Sequence, residues 1–241
     1  MTDAAWIRDV PVAHRGYHDM NRDVWENTLT AFSRAAEAGF AIECDLQLAA
    51  DSVPVVFHDH DLERLCGIKG DVRERTSGEL GLLAVGGTAD RIPTLSKMLK
   101  LVAGRVPLVI EIKGRAGEDD GFAEAVLETL EGYQGKVALM SFDHHILRDL
   151  KEAGAPYPLG LTAEGVNPED LARHEEAMRL GLDFISYFHG HLPNSFVTAE
   201  RQAGLPVITW TVRDENARVH TYTQADQMTF EGFDPRETAS A

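Results

Sequence analysis

The sequence predicts an α/β fold in which eight parallel strands close into a (β/α)8 barrel. Eight short apolar segments alternate with helical patterns along the 241 residues, and such alternation is typical of parallel sheets. Several segments are continuous apolar runs, as expected of strands covered on both faces. A chain of about 250 residues is the usual size of one barrel. An open doubly wound sheet would show the same alternation, but no Gly-x-Gly-x-x-Gly motif follows any segment, which disfavours its nucleotide-binding form.

Each predicted strand is a short apolar run with polar or turn residues on both sides. They span residues 10–14, 41–46, 108–112, 137–142, 158–162, 184–188, 207–212 and 228–230. A further apolar run at 53–57 follows the second strand too closely for a helix to intervene, so it predicts a hairpin there. We expect one barrel domain over residues 1–241, with a small insertion at about 51–92.

The segments between the strands carry helical spacing and helix-end signals. Leu95, Met98 and Leu99 recur at helical intervals after Thr94, a residue type that favours the N-cap position. The last predicted helix, near 214–225, has the poorest apolar spacing. Helices placed between consecutive strands are what a parallel barrel requires.

Composition and charge exclude several function classes. The chain has 44% hydrophobic residues, 23 Lys+Arg and 39 Asp+Glu, for a net charge of −16. A surface of this sign repels nucleic-acid phosphates and anionic lipid, so neither is expected as a partner. An anionic substrate would need a local cluster of cations or a metal. No apolar run reaches the roughly 18 residues needed to span a bilayer.

Cysteine usage and the first residues indicate the compartment. Cys44 and Cys66 form neither a disulfide framework nor a zinc-type spacing. The first nine residues, MTDAAWIRD, lack the basic and apolar regions of a signal peptide. We therefore expect a cytoplasmic protein.

Polar side chains cluster at the ends of the first predicted strands and of the hairpin, where barrel enzymes carry their active sites. They are His14, Arg15, Glu43, Asp45, His58, Glu111 and Lys113. Because side chains alternate along a strand, Glu43 and Asp45 share one face, and so do Glu111 and Lys113. In a closed barrel that face points inward.

Three acidic side chains inside a barrel are costly if they are ionised and unpaired. One interpretation is an internal ion-pair network with Arg15 and Lys113. The other is that Glu43, Asp45 and Glu111 hold a hard divalent cation. Ligation by carboxylate oxygens alone suits magnesium or calcium and does not suit zinc or copper.

His14 and His58 follow two neighbouring elements and would flank a bound substrate. Either histidine alone would more often be structural. As a pair beside a carboxylate cluster, they indicate a general acid and a general base. With Arg15 and Lys113 as anion-binding cations, the set has the composition of a phosphoryl-transfer site.

The order and spacing of these motifs resemble the glycerophosphodiester phosphodiesterase family. The matching motifs are His14-Arg15-Gly16, Glu26-Asn27-Thr28, Glu43-x-Asp45, His58-Asp59 and Glu111-x-Lys113, with a softer match at Trp210-Thr211-Val212. The resemblance implies a TIM-type barrel and metal-dependent hydrolysis of glycerophosphodiesters to glycerol phosphate and an alcohol. It also implies that the nucleophile is the substrate's own neighbouring glycerol hydroxyl.

The resemblance assigns roles residue by residue. It implies that His14 and His58 are the catalytic acid/base pair and that Glu43, Asp45 and Glu111 bind a divalent metal, Mg²⁺ or alternatively Ca²⁺. It further implies four substrate-binding residues: Arg15 and Lys113 on the phosphate, Glu26 beside Arg15, and Trp210 lining the pocket. The resemblance also implies a small-molecule phosphodiester as the substrate.

One departure and two alternatives accompany the resemblance. The eighth strand of the family commonly ends in Thr-Asp, whereas here Phe230 follows Thr229, which leaves the contribution of this strand open. A lysophospholipase D-like enzyme on the same scaffold is one alternative. A barrel that binds phosphate esters without catalysis is the other, and loss of a histidine or ligand would mark it; none is missing.

Overall fold

The computed structural model describes residues 3–237, and the strands in them form one sheet. They are β1 (Val12–Ala13), β2 (Ala41–Leu48), β3 (Pro54–Val56), β4 (Leu108–Ile112), β5 (Val137–Ser141), β6 (Leu159–Ala163), β7 (Phe184–Phe188), β8 (Val207–Val212) and β9 (Gln227–Phe230). β1 pairs in parallel with both β2 and β9, so eight strands close into a ring. β3 pairs antiparallel with the end of β2 as the predicted hairpin. The predicted barrel and its insertion are confirmed.

Helices lie between the barrel strands and within the insertion. They are α1 (Leu29–Ala38), α2 (Glu63–Cys66), α3 (Ser77–Leu80), α4 (Leu95–Val102), α5 (Phe122–Leu130), α6 (His144–Glu152), α7 (Pro168–Met178), α8 (Ser195–Gln202) and α9 (Glu215–Gln224). Thr94 caps α4 by accepting the backbone N–H of Lys97, as predicted. α9 forms despite its poor apolar spacing, with Asp214 as its side-chain cap. No helix in residues 3–237 is long and apolar enough to cross a membrane.

The predicted first strand, 10–14, is too long. The regular pairing covers only Val12–Ala13, because Arg15 and Gly16 both take positive φ and turn the chain out of the sheet. A Cβ on Gly16 would lie 2.8 Å from the Cβ of Ala31 in α1, so the turn requires glycine. This tight turn brings the residues after β1 over the mouth of the barrel.

Side chains alternate between two cores as the strand geometry requires. Ile42 and Cys44 of β2 face outward into the core between sheet and helices, and the Cys44 sulfur lies 3.6 Å from that of Met98 on α4. Ala41 faces inward, where it belongs to a smaller apolar cluster with Trp6. The alternation leaves the inward positions further along β2 to Glu43 and Asp45.

The insertion has an apolar core of its own. Its members come from the hairpin, from α2 and α3, and from the segments that connect them: Ala49, Val55, Phe57, Leu62, Leu65, Val72, Leu80, Val85 and Ile92. This packing holds His58, immediately after Phe57, against the barrel mouth. The predicted domain bounds of 1–241 include residues 1–2 and 238–241, which lie outside the described residues, and the domain assignment stays a prediction.

Candidate active site

Three buried carboxylates meet inside the barrel. Glu43, Asp45 and Glu111 are 2%, 1% and 6% exposed, and one oxygen from each lies within 4.8 Å of the others. Asp45 and Glu111 are register partners on β2 and β4. Burial, followed by the charges of Asp45 and Glu111, raises the pKa of Glu43 well above its usual range. Burial also raises the pKa of Glu111, against the opposing charge of Lys113.

Arg15 and Lys113 lie close to the three carboxylates, but their two positive charges do not balance all three negative charges. Arg15 Nε lies 3.2 Å from Asp45 Oδ2, and Lys113 Nζ lies 3.0 Å from Asp45 Oδ1 and also pairs with Glu111. These charges hold the pKa of Asp45 below its usual range although its burial acts in the opposite direction. The predicted ion pairs therefore exist, yet Glu43 stays disfavoured as an anion. A hard cation ligated by carboxylate oxygens fits this donor set.

The segment before α1 fixes both Arg15 and Asp45. Glu26 Oε1 accepts from Arg15 Nη1 at 2.6 Å, and Asn27 Nδ2 donates to Asp45 Oδ2 at 2.8 Å. Thr28 caps α1 by accepting the backbone N–H of Ala31. Three consecutive residues thus position a cation, a carboxylate and a helix, which explains the Glu-Asn-Thr motif physically.

Glu26 is shared with a residue that the sequence analysis did not identify. Arg64 of α2 donates to both Glu26 oxygens, at 2.8 and 3.0 Å, and to both oxygens of Asp59. Although burial opposes the shift, Arg64 and Arg15 lower the pKa of Glu26 to about 2. Glu26 does not line the cavity, so it contacts Arg15 as expected but stands behind it.

Each candidate histidine has one ring nitrogen held by a carboxylate. His58 Nδ1 lies 2.6 Å from Asp59 Oδ1, and His14 Nδ1 lies 2.5 Å from Glu231 Oε2. A carboxylate on Nδ1 favours the tautomer that carries its proton on Nδ1. It also fixes the orientation of the ring, so that Nε2 points away from the carboxylate. Burial lowers the pKa of His14, against the hydrogen bond with Glu231, which raises it.

Glu231 is the main site residue that the sequence analysis missed. The contribution of the eighth barrel strand, left open by the sequence, comes one residue later than in the family pattern: Phe230 packs against Phe40 at 4.8 Å between ring centroids, and the acid follows at the next residue. Besides His14, Glu231 accepts from Arg213 Nε at 2.7 Å, and His18 Nε2 lies 3.5 Å away. Burial opposes the shift, but the hydrogen bond with His14 and the nearby His18 ring hold the pKa of Glu231 below its usual range. An acid directly after the last strand was the available signal.

The candidate residues enclose a cavity of about 180 Å³ at the carboxyl ends of the strands. Its lining includes every predicted site residue except Glu26, namely His14, Arg15, Glu43, Asp45, His58, Glu111, Lys113 and Trp210. Phe142 and Arg213 also line it and were not predicted. Trp210 lies edge-to-face on Phe142 at 5.4 Å, so an aromatic wall faces the charged residues of β2 and β4.

Comparison with known proteins agrees with this arrangement. Residues 14–230 match the model of the glycerophosphoryl diester phosphodiesterase family. The chain is similar to a glycerophosphodiester phosphodiesterase of Caldanaerobacter subterraneus subsp. tengcongensis, with 31% identity over 218 residues, 86% of each chain.

Two solved structures show the same fold. A phosphodiesterase of Oleispira antarctica, in complex with the product sn-glycerol-3-phosphate, superposes with a TM-score of 0.84 at 23% identity, over 95% of this chain and 96% of that one. A glycerophosphodiester phosphodiesterase of Thermotoga maritima gives a TM-score of 0.72 at 27% identity, over 92% and 94%. Since the family match spans nearly the whole described chain, this protein belongs to the glycerophosphoryl diester phosphodiesterase family.

Proposed function

We propose that the enzyme hydrolyses glycerophosphodiesters to glycerol phosphate and an alcohol, using His14 and His58 as acid and base beside a divalent cation on Glu43, Asp45 and Glu111. The enzyme class, a glycerophosphodiester phosphodiesterase, follows from the family. One observation carries the assignment of roles. Two histidines, each held at Nδ1 by a carboxylate, line the same small cavity as three buried carboxylates.

The donor set supports Mg²⁺, with Ca²⁺ as the alternative, because both prefer carboxylate oxygens. Such a cation, when bound, neutralises charge that develops on the phosphoryl oxygens. Arg15 and Lys113 add to this effect as donors to the phosphate. Their contacts with Glu26, Asp45 and Glu111 restrict the two side chains before substrate arrives, so less entropy is lost on binding.

The histidines move protons in opposite directions. One accepts the proton of the attacking hydroxyl at Nε2, and the other donates a proton to the oxygen of the departing alcohol. We propose the neighbouring hydroxyl of the substrate glycerol as the nucleophile. An intramolecular attack needs no residue to position a water molecule in the first step.

Metal removal tests the carboxylate assignment. We expect a chelator to abolish diesterase activity and added magnesium or calcium to restore it, with elemental analysis giving the metal content. As a matched variant, Glu43→Gln should lose metal affinity but keep the far-UV and near-UV circular dichroism of the fold. Full activity in excess chelator with no bound metal would refute the metal site.

The nucleophile has a separate test. A glycerophosphodiester and its analogue without the neighbouring hydroxyl are compared at saturating concentration, and we expect the analogue to turn over very poorly. Phosphorus NMR should detect a transient cyclic phosphate with the true substrate. Equal turnover of both compounds would mean that water attacks directly.

The alternatives have less support. A lysophospholipase D-like activity requires an apolar channel for an acyl chain, whereas Arg213 and Lys113 lie in the cavity lining with Phe142 and Trp210. A non-catalytic barrel has no use for two carboxylate-bound histidines. The cytoplasmic location and the exclusion of nucleic acid stay predictions from charge and cysteine usage.

A further inference from the structure

A continuous line of hydrogen bonds joins the candidate phosphate-binding arginine to one of the two candidate acid/base histidines. Arg15 Nη1 donates to Glu26 Oε1 at 2.6 Å, and Arg64 Nη2 donates to that same oxygen at 2.8 Å. The same Nη2 atom donates to Asp59 Oδ1 at 2.8 Å, and this oxygen lies 2.6 Å from His58 Nδ1. One nitrogen atom of Arg64 therefore links two side chains, Arg15 and His58, that both line the active-site cavity.

Arg64 holds each of the two carboxylates at both oxygens. Its Nε donates to Asp59 Oδ2 at 2.6 Å, so the edge formed by Nε and Nη2 binds Asp59. Its Nη1 donates to Glu26 Oε2 at 3.0 Å, so the edge formed by Nη1 and Nη2 binds Glu26. Paired charge-assisted bonds of this kind fix the orientation of a carboxylate as well as its distance. Rotation of either carboxylate breaks at least one of these bonds.

The backbone that carries Arg64 is also fixed. Arg64 lies on α2, between Leu62 and Leu65 in the chain, and both leucines are buried in the apolar core of the insertion. Arg64 does not line the active-site cavity. It can therefore affect a reaction in that cavity only through the side chains that it holds, Glu26 and Asp59.

We propose that Arg64 is a positioning residue that acts on phosphate binding and on proton transfer at the same time. It orients Arg15 through Glu26, and it orients His58 through Asp59. This role rests on the proposed function and adds to it a residue that contacts no substrate. Because the reaction requires both side chains in place at once, a small displacement of either lowers the rate.

The two-sided contact requires a planar group with donors on two edges. Lysine carries the same charge, but its ammonium is a single point with three donors and cannot bind two carboxylates at both oxygens. Arg64→Lys should therefore resemble Arg64→Ala and not the wild type. A guanidinium ion in solution has the missing shape, and the side chain of Arg64 is 45% exposed, so its site is open to such an ion.

The test measures kcat and KM of the magnesium-loaded enzyme. The substrate is whichever of glycerophosphocholine, glycerophosphoethanolamine and glycerophosphoglycerol the wild type hydrolyses fastest. We expect Arg64→Ala to lower kcat/KM by about 10- to 100-fold, the usual loss when a group that orients a site residue is removed, with a lower kcat and a higher KM. Asp59→Asn should mainly lower kcat and Glu26→Gln should mainly raise KM, because each removes one side of the arrangement.

Chemical rescue separates positioning from folding. Guanidinium chloride well below its denaturing concentration should restore the kcat of Arg64→Ala severalfold, whereas methylammonium chloride at the same concentration should not. Guanidinium weakens folded proteins, so this recovery cannot come from a more stable fold. Arg179→Ala is the matched control, because Arg179 forms an exposed surface pair with Glu176. It should keep wild-type kinetics and gain nothing from guanidinium.

Three results overturn the role of Arg64 while an active wild type leaves the diesterase proposal intact. The first is a kcat and a KM within twofold of wild type in Arg64→Ala. The second is a change confined to kcat or to KM, and the third is a loss that guanidinium restores no better than methylammonium. Hydrolysis of none of the three diesters by the wild type with magnesium, calcium or manganese overturns the proposed function, and the role of Arg64 with it.

Discussion

At the amino end of the barrel, Ala41 and Val109 point inward and belong to an apolar cluster with Trp6. Two residues further along the same strands, the inward side chains are those of Glu43 and Glu111. The amino end of the barrel is thus filled by apolar side chains. The carboxyl end holds charged side chains that are buried to a similar extent.

The difference separates stability from function along each strand. Burial of apolar area at the amino end favours folding by about 25 cal/mol per Å². Burial of Glu43 instead penalises its charged form, as the raised pKa shows. The carboxyl end is therefore kept in place by packing elsewhere in the barrel. A substitution of a residue that lines the active-site cavity should accordingly affect activity most, and a substitution in the apolar cluster should affect stability most.

The largest expected effect is on turnover at the carboxyl end. His14→Ala and His58→Ala should each lower kcat by about 100-fold or more, because a general acid or base contributes about that much. Thermal unfolding should change little for His58→Ala, since the His58 side chain is 32% exposed. Near-normal turnover in either variant would reduce that histidine to a packing residue.

The second prediction concerns the amino end. Ile208 is fully buried in the apolar cluster, and Ile208→Ala should lower the free energy of unfolding by about 2–5 kcal/mol. The kcat of the folded fraction should stay within twofold of wild type, since Ile208 does not line the active-site cavity. Urea unfolding and active-site-normalised kinetics measure the two effects. A large loss of kcat in folded protein would contradict the separation.

The third prediction uses the pH dependence of stability to measure what the charged contacts of Glu26 contribute. The pKa of Glu26 is about 2 in the fold, below its value of about 4.3 in an unfolded chain. A depressed carboxyl pKa gives stability that is present above about pH 4.3 and lost as the pH falls toward 2. The contribution is on the order of 3 kcal/mol at neutral pH. Glu26→Gln should therefore be destabilised at pH 7 and approach wild-type stability near pH 2–3.

Ile208→Ala serves as the control for this pH dependence. Its loss of unfolding free energy should be the same at pH 7 and pH 3, because no titratable group is removed. Equal pH dependence in the wild type and Glu26→Gln would show that the Arg15–Glu26–Arg64 contacts add no stability.

Most residues of the site could be predicted from the sequence, because they belong to short motifs at the ends of strands. Alternation along β2 and β4 places Glu43, Asp45, Glu111 and Lys113 on inward positions without knowledge of any other strand. Glu231 and Arg64 escaped prediction for a different reason. Their partners, His14 and Glu26, lie 217 and 38 residues away, and no local pattern encodes such pairings.

The sequence by itself determined the barrel, its hairpin insertion and the inward faces of β2 and β4, since these follow from periodicity and short-range spacing. Only the tertiary structure decided which carboxylate holds His14, how Phe142 joins Trp210 in the wall of the cavity, and how β1 ends. Closing the ring brings β9 beside β1, and that contact alone places Glu231 against His14. Alternation along a strand sets the direction in which a side chain points, whereas closure of the barrel sets which residues it contacts.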